Sequence, residues 1–418
     1  MSFTRPSSKP KSVWDRAIIL MDMDAFFASI EQKDHPEWQG RAIGITNGKT
    51  GTCIITCSYE ARMKGIYTGM RLKDARRLCP DFIQVPARPE RYAQVSTRIM
   101  HSLQDITPEI EIFSVDEAFL DVTRVQSIWG SPEIIGRMVK RKVHEAVGIC
   151  CSVGVSGDKT TAKYAAKRDK PDGFTVIPPW EAREALRQVP VTELCGIAHG
   201  IGGFLAQHGV TVCGDMEKLP ISVLGRRFGA PGRRIWLMCQ GLDPDDLHPE
   251  VPAPRSIGHG KVMPPNSSDP EVLKTYLLHM VEKVAARLRR HRLEAGTFFI
   301  GFRTNDGWLA GKYRCDTATD DAGKIMQLAY RMLASQWHGE GVFQVQVTAL
   351  DPRETGVQLD LFSEPPEQQR RINRVKDAIN QKYGEFTLTP AVLLNRSDMP
   401  NVIAPAWKPF GHRETILK

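Results

Sequence analysis

Met21-Asp22-Met23-Asp24-Ala25-Phe26-Phe27 ends an apolar run, Ala17-Ile18-Ile19-Leu20-Met21, with two acids and two aromatic rings. The run is bounded by acids and reads as a buried strand, and residues 25–33 after it read as a helix. Carboxylates at a strand end that borders a core are costly unless paired or metal-bound. A second stretch, Ser114-Val115-Asp116-Glu117, repeats the arrangement between two strand-like runs, Ile110–Phe113 and Ala118–Val122. Three hard oxygen ligands converging from two strands suit Mg²⁺, which keeps waters and takes its other ligands from substrate phosphates. Two such ions, about 3.5–4 Å apart, can activate a hydroxyl nucleophile and stabilise the leaving oxygen in phosphoryl transfer. The competing reading makes these acids helix caps or turn residues.

Outward from this stretch, short strands at Ile43–Thr46 and Thr52–Thr56 alternate with Gly-rich turns. A helix over about 90–103 places Val95, Ile99 and Leu103 on one face. A basic helix over about 132–147 leads to a strand at Cys150–Ser156, and a second basic helix starts near Lys159 and stops before Pro171. Strands and helices therefore alternate around a sheet in the first 180 residues, an α+β pattern. Residues 181–247 read as helical with Gly-rich turns, and 248–254, rich in Pro, as a linker. From 255 to 352 the order is strand, helix (Pro270–Arg290), two strands, helix (about 320–336) and strand (Val342–Leu350), a split βαβ or ferredoxin-like order. Residues 1–13 read as a loose tail, and 353–418 as a C-terminal tail with a charged helix over about 366–382.

The chain has 418 residues, of which 41% are hydrophobic and 25% charged. That composition excludes a largely disordered chain, a collagen-like fibre and a disulfide miniprotein. No stretch approaches the roughly 18 uninterrupted apolar residues of a membrane span, and the N-terminus lacks an apolar signal region, so a cytoplasmic protein without membrane contact is expected. Nine Cys without a Cys-x-x-Cys pair point to reduced, mostly buried thiols. Cys53 and Cys57, four residues apart, are expected on one buried face of a strand.

The net charge of +8 favours polyanionic partners, and its distribution sharpens the point. Between 255 and 315 eleven Lys and Arg face five Asp and Glu, with Arg287, Arg289, Arg290 and Arg292 densest. Phosphate contacts of this kind give affinity without sequence reading. Tyr59 and Arg62 share one side of a helical turn, where a guanidinium can grip phosphate. Lys167 to Gly173 places cations at a helix end, a position that also suits dipole compensation.

Five separated motifs occur in order: MDMDAFF, CSYEARMKGI, SVDEAFLDVT, SVGVSGDKTTAKYAAKRDKPDG and QLDLF. Together, from about Ala17 to Phe362, they resemble the Y-family translesion DNA polymerases, most nearly the bacterial polymerase IV type. The resemblance implies a right-hand fold: a palm over 14–180 with fingers inserted at about 31–86, a helical thumb over 181–247 and a ferredoxin-like little finger over 255–352. It implies that Asp22, Asp116 and Glu117 are catalytic and hold two Mg²⁺ ions, with the Met23 carbonyl as a further ligand and Asp24 behind them. Phe27 matches the steric gate that excludes a ribose 2′-hydroxyl. Tyr59, Arg62 and Lys170, with the backbone N–H groups of Phe26 and Phe27, match the binding site of the dNTP triphosphate.

Lys159, Lys163, Arg287, Arg289, Arg290 and Arg292 are expected to meet DNA phosphates. The Leu194–Gly200 stretch resembles a helix-hairpin-helix turn, but Ala198 stands where a second Gly is usual, and a positive φ there would be resisted. Gln358-Leu359-Asp360-Leu361-Phe362 resembles the peptide that docks on the bacterial sliding clamp, with 56 further residues after it. The expected function is low-fidelity, template-directed dNTP addition to a primer 3′ end without proofreading, by a monomer whose partners are primer–template DNA, dNTPs and the clamp. The alternatives are a catalytically inactive accessory protein on the same scaffold, which would lack the carboxylates, and another palm-fold enzyme such as a nucleotide cyclase.

Overall fold

The structure is a computed structural model that describes residues 14–49, 51–250, 253–355 and 367–395. Two compact units meet in sequence between Val251 and Pro252. The clamp-like peptide 358–362 and the tail 1–13 lie outside the described residues. No helix among the described residues is long and apolar enough to cross a membrane.

The first unit is organised by the Ile18–Met23 strand, the centre of a five-stranded sheet. In order across the sheet stand Ile110–Ile112, Glu117–Asp121, Ile18–Met23, Cys151–Ser156 and Phe174–Val176; only the last pair is parallel. Both faces of the central strand are covered, so its apolar run does not alternate. Ile19, Met21 and Met23 pack with the helices Pro89–Gln104 and Pro132–Val147. Ile18 and Leu20 pack with Phe119, Ala162 and Ala166 under the helix Lys159–Arg168. That helix lies so close to the sheet that a Cβ at Gly154 would come 2.1 Å from the Ala162 carbonyl oxygen. Asp22 follows Ile18 and Leu20 by the strand's twofold period and therefore emerges on the helix 159–168 side.

Beside this sheet a smaller one, in the order Ile54–Cys57, Ile43–Thr46, Ile83–Pro86, carries the short helices Tyr59–Met63 and Leu72–Leu78 over its own core. Cys57 is buried there, but Cys53 precedes the strand and is exposed, so the two thiols do not share a face. Residues 182–238 form helices around Leu194, Ile197, Leu205, Met216, Leu224 and Ile235. The left-handed turn of the hairpin falls at Gly196, φ +92°, whereas Ala198 is extended at φ −94°. The Ala in place of Gly therefore carries no backbone strain.

The second unit has four long strands, Ile257–Ser267, Leu293–Thr304, Gly307–Thr319 and Val342–Ala349. They stand in the order third, second, fourth, first, each antiparallel to its neighbour. Both crossovers are thus split βαβ units, with the second and fourth strands central. The helices Pro270–Arg290 and Ala322–Gln336 pack on one face against Phe298, Ile300, Phe302, Val345 and Val347. A further helix, Glu367–Tyr383, lies against them.

Candidate active site

The acidic residues meet because of strand register. Asp22 pairs with Glu117 across the central strands, which puts both side chains on one face, and the Met23 N–H donates to the Asp116 carbonyl at 2.9 Å. Ser114 Oγ donates to Asp116 Oδ1 at 2.5 Å and holds that carboxylate. Burial, opposed by Lys170 and reinforced by Glu117 and Asp116, pushes the Asp22 carboxyl up to about 7. Burial raises Asp116 as well. Crowded carboxyls at a dry strand end favour either a proton or a counter-cation.

Here the cations are ammonium groups. Lys170 donates to Asp22 Oδ1 at 2.5 Å and to the Met23 carbonyl at 3.2 Å; Lys163 donates to Glu117 Oε2 at 2.5 Å and lies over the Phe113 ring. No three acidic, His or Cys side chains among the described residues converge closely enough to hold an ion. The oxygen-only donor set of Asp22, Asp116, Glu117 and the Met23 carbonyl nevertheless fits a hard divalent cation. An ammonium stands at three of those four donors, Asp22, the Met23 carbonyl and Glu117, so the site already selects positive charge.

Asp24 is 4% exposed and lies beside this cluster, with its Oδ1 3.7 Å from the Lys170 ammonium. It accepts from Ser152 Oγ at 2.9 Å, from the Asp172 N–H at 2.7 Å and from the Tyr59 hydroxyl at 3.4 Å. It ties the central strand, its neighbour and the loop that carries Lys170 to Tyr59 of the smaller sheet's helix. Burial, with Asp24 beside it, pushes the Tyr59 phenol up to about 12, so it stays a hydrogen-bond donor. The Arg62 guanidinium lies 4.6 Å from the centre of the Tyr59 ring and is exposed.

Helix Phe26–Asp34 starts at Ala25, held at φ +45°, and no side chain caps its first N–H groups. The Phe26 and Phe27 amides are thus open to an anion. The Phe27 ring is stacked on Tyr92, with centroids 4.2 Å apart and planes 11° apart. Ser114 and Ser152 open two of the sequence motifs without a role of their own there, and Tyr92, outside the motifs, enters the site only through the fold.

Not every expected DNA contact is placed to make one. Lys159 is 5% exposed, and its ammonium is paired with Glu111 at 2.6 Å and Asp245 at 2.7 Å; it joins the end of the helical region to the sheet and does not face outward. Lys163 points at Glu117. In the second unit Arg289 makes a two-pronged pair with Asp377 at 2.6 and 2.8 Å and also donates to the Asp320 carbonyl, while Arg287 donates to the Gly258 carbonyl. Their charge is taken by the domain itself, leaving Arg290 and Arg292 exposed. The face of the four-stranded sheet away from its helices instead presents Arg303, Lys312 and Arg314, all exposed and aligned by register beside Trp308, Phe299 and Thr297. These three cations lie in the basic stretch 255–315, where nothing in the sequence sets them apart from the other Lys and Arg.

Residues 21–167 match the impB/mucB/samB family, and residues 254–361 match the C-terminal domain of that family. A DNA polymerase IV of Moorella thermoacetica is 35% identical over 389 residues, spanning 91% of this chain and 96% of that one. A DNA polymerase IV of Desulfatibacillum aliphaticivorans is 31% identical over 386 residues, 91% of this chain and 97% of that one. Among solved structures, a chimeric Y-family DNA polymerase superposes with a TM-score of 0.71 at 25% identity, over 81% of this chain and 100% of that chain.

Proposed function

The chain belongs to the impB/mucB/samB family, the Y-family DNA polymerases, and on that footing we propose that this translesion DNA-directed DNA polymerase adds dNTPs to a primer 3′ end by two-metal-ion phosphoryl transfer without proofreading. The observation that carries the proposal is the pairing of Asp22 with Glu117 across adjacent strands, with Asp116 bonded to the same strand end. A non-catalytic relative would have no use for three carboxylates crowded at one strand end.

Asp22, Asp116, Glu117 and the Met23 carbonyl would hold two Mg²⁺ ions. When bound, such ions activate the primer hydroxyl and neutralise charge on the leaving pyrophosphate. The rest falls to the chain's own groups. Lys170, whose ammonium bonds Asp22 here, would turn to the triphosphate together with Tyr59 and Arg62. Three donors, two of them cationic, then stabilise the charge that develops on the β- and γ-phosphates. The uncapped amides of Phe26 and Phe27 add neutral donors at a helix start. The Phe27 face lies where a 2′-hydroxyl would press and lose its water.

Primer–template DNA would lie along the uncovered sheet face bearing Arg303, Lys312 and Arg314. The peptide Gln358–Phe362 would tether a monomeric, cytoplasmic enzyme to the sliding clamp and raise its local concentration at the primer. Primer extension by the purified protein tests the proposal. Mg²⁺-dependent addition of dNTPs opposite intact and damaged template bases is expected, and an inert protein under those conditions overturns it.

A further inference from the structure

We propose that Glu31, one turn beyond Phe27 on the helix Phe26–Asp34, is a positioning residue for sugar selectivity, acting through Tyr92 and Arg88 on the ring that backs Phe27. The inference rests on the reading of Phe27 as the wall against a 2′-hydroxyl.

Phe27 is 8% exposed and stacks face to face on Tyr92, itself fully buried. A stacked ring can yield only if the ring behind it yields, so the firmness of the wall is that of Tyr92. Tyr92 is pinned at its far end: its hydroxyl donates to Glu31 Oε1 at 2.6 Å. Glu31 is 1% exposed, a depth at which a lone carboxylate would not remain charged. Arg88 supplies the counter-charge, with Nε donating to Oε1 at 2.9 Å and Nη2 standing 2.7 Å from Oε2.

Arg88 is steadied in turn. Its Nη2 donates to Asp34 at 2.7 Å, and Arg91 grips the same carboxylate with two bonds of 2.9 and 2.8 Å. Phe27, Glu31 and Asp34 follow one face of their helix, and Arg88, Arg91 and Tyr92 lie together at the start of the helix Pro89–Gln104. Two helices are thus bolted together by charge on one side and aromatic contact on the other, with the proposed gate ring at the end of the bolt. A side chain that merely filled space behind Tyr92 would not need a buried ion pair to do so.

The test measures single-nucleotide insertion of a dNTP and its matching rNTP by the same preparation, so that the ratio of the two efficiencies is independent of the folded fraction. Tyr92→Phe keeps the stacked ring and removes one oxygen. Glu31→Gln keeps an acceptor for Tyr92 and removes the charge that holds Arg88. Each is expected to lower the dNTP-to-rNTP ratio by about 3- to 10-fold, the size set by one hydrogen bond, and Arg88→Met is expected to act in the same direction. Phe27→Ala is the reference and should collapse the ratio. If it does while the other three variants keep the wild-type ratio, the role of Glu31 is overturned and the gate stands. If Phe27→Ala itself keeps the wild-type ratio, the gate reading falls and takes the inference with it. Should Glu31→Gln fail to fold, Tyr92→Phe alone decides.

Discussion

Lys170 Nζ stands 2.5 Å from Asp22 Oδ1, joining residues 148 positions apart, and the same ammonium reaches the Met23 carbonyl. The free protein thus keeps an internal cation where the proposed chemistry needs a divalent one. The proposed function requires that ammonium to exchange for a divalent ion, and this requirement has measurable consequences.

Divalent-ion binding should depend on pH. The Asp22 carboxyl is raised from 3.8 to about 7, mainly by burial, so below neutrality a proton competes with the ion. The Mn²⁺ affinity of the DNA-free protein, measured by calorimetry, should fall as pH drops from 8 to 6, approaching about tenfold per unit below the carboxyl's pKa. The same shift acts on stability with a definite sign. The folded state holds this proton more tightly than the unfolded chain, so its contribution is fully present below about 3.8 and is lost as pH rises through about 7. Affinity that is flat over this range would contradict the assignment of Asp22.

Asp116→Ala should lower primer extension by at least about 100-fold, since even residues that only support a metal ligand are worth 10–100-fold. Binding to primer–template, followed by fluorescence anisotropy, should change little. Equal loss of both would assign Asp116 a folding role.

On the second unit, Lys312→Ala and Arg314→Ala should each weaken DNA binding uniformly across sequences and reduce the salt slope by about 1. Arg289→Ala should leave the slope nearly unchanged, because its charge is already matched by Asp377. A larger slope change at Arg289 than at Lys312 would move the DNA to the helical face.

Asp377→Ala should destabilise the protein by about 1.5–3 kcal/mol, the range for a hydrogen bond to a charged group, because Arg289 is left 8% exposed without its carboxylate. Denaturant unfolding of the full chain checks this. A stability within error of wild type would mean that the helix Glu367–Tyr383 is held by its other contacts.

Asp34 should make the fold acid-sensitive. Hydrogen bonds from Arg91 first and Arg88 second, against burial, lower its carboxyl from 3.8 to about 2. A carboxylate held this way stabilises the fold above its unfolded pKa, and the gain disappears as pH falls from about 3.8 through about 2. Wild type should exceed Asp34→Asn by about 1 kcal/mol at pH 7, since the 1.36 kcal/mol per pKa unit is reduced by solvent screening around the partly exposed Arg88 and Arg91, and by less at pH 3. A gap unchanged between the two pH values would rule the ion pair out as its cause.

Local signals in the chain were enough to mark several elements closely. Ser131-Pro132 and Asp269-Pro270 start the helices Pro132–Val147 and Pro270–Arg290 where capping chemistry says they should, with the Ser131 and Asp269 side chains accepting from the first turns. The apolar run ending at Asp22 and the acids at 116–117 declared a charged strand end, because burying carboxylates beside a core demands a reason that can be read residue by residue. The folded arrangement decided what those charges meet. Asp22 faces Glu117 through register, Lys170 and Lys163 reach them from a helix and loop far along the chain, and Tyr92 arrives behind Phe27 from another helix. The arginines at 287 and 289, dense enough in sequence to suggest a polyanion, are taken up by a backbone carbonyl and by Asp377. Charge density and periodicity are properties of neighbours in the chain, whereas the partner of a charge is set by which distant element packs against it, and only the tertiary structure chooses that.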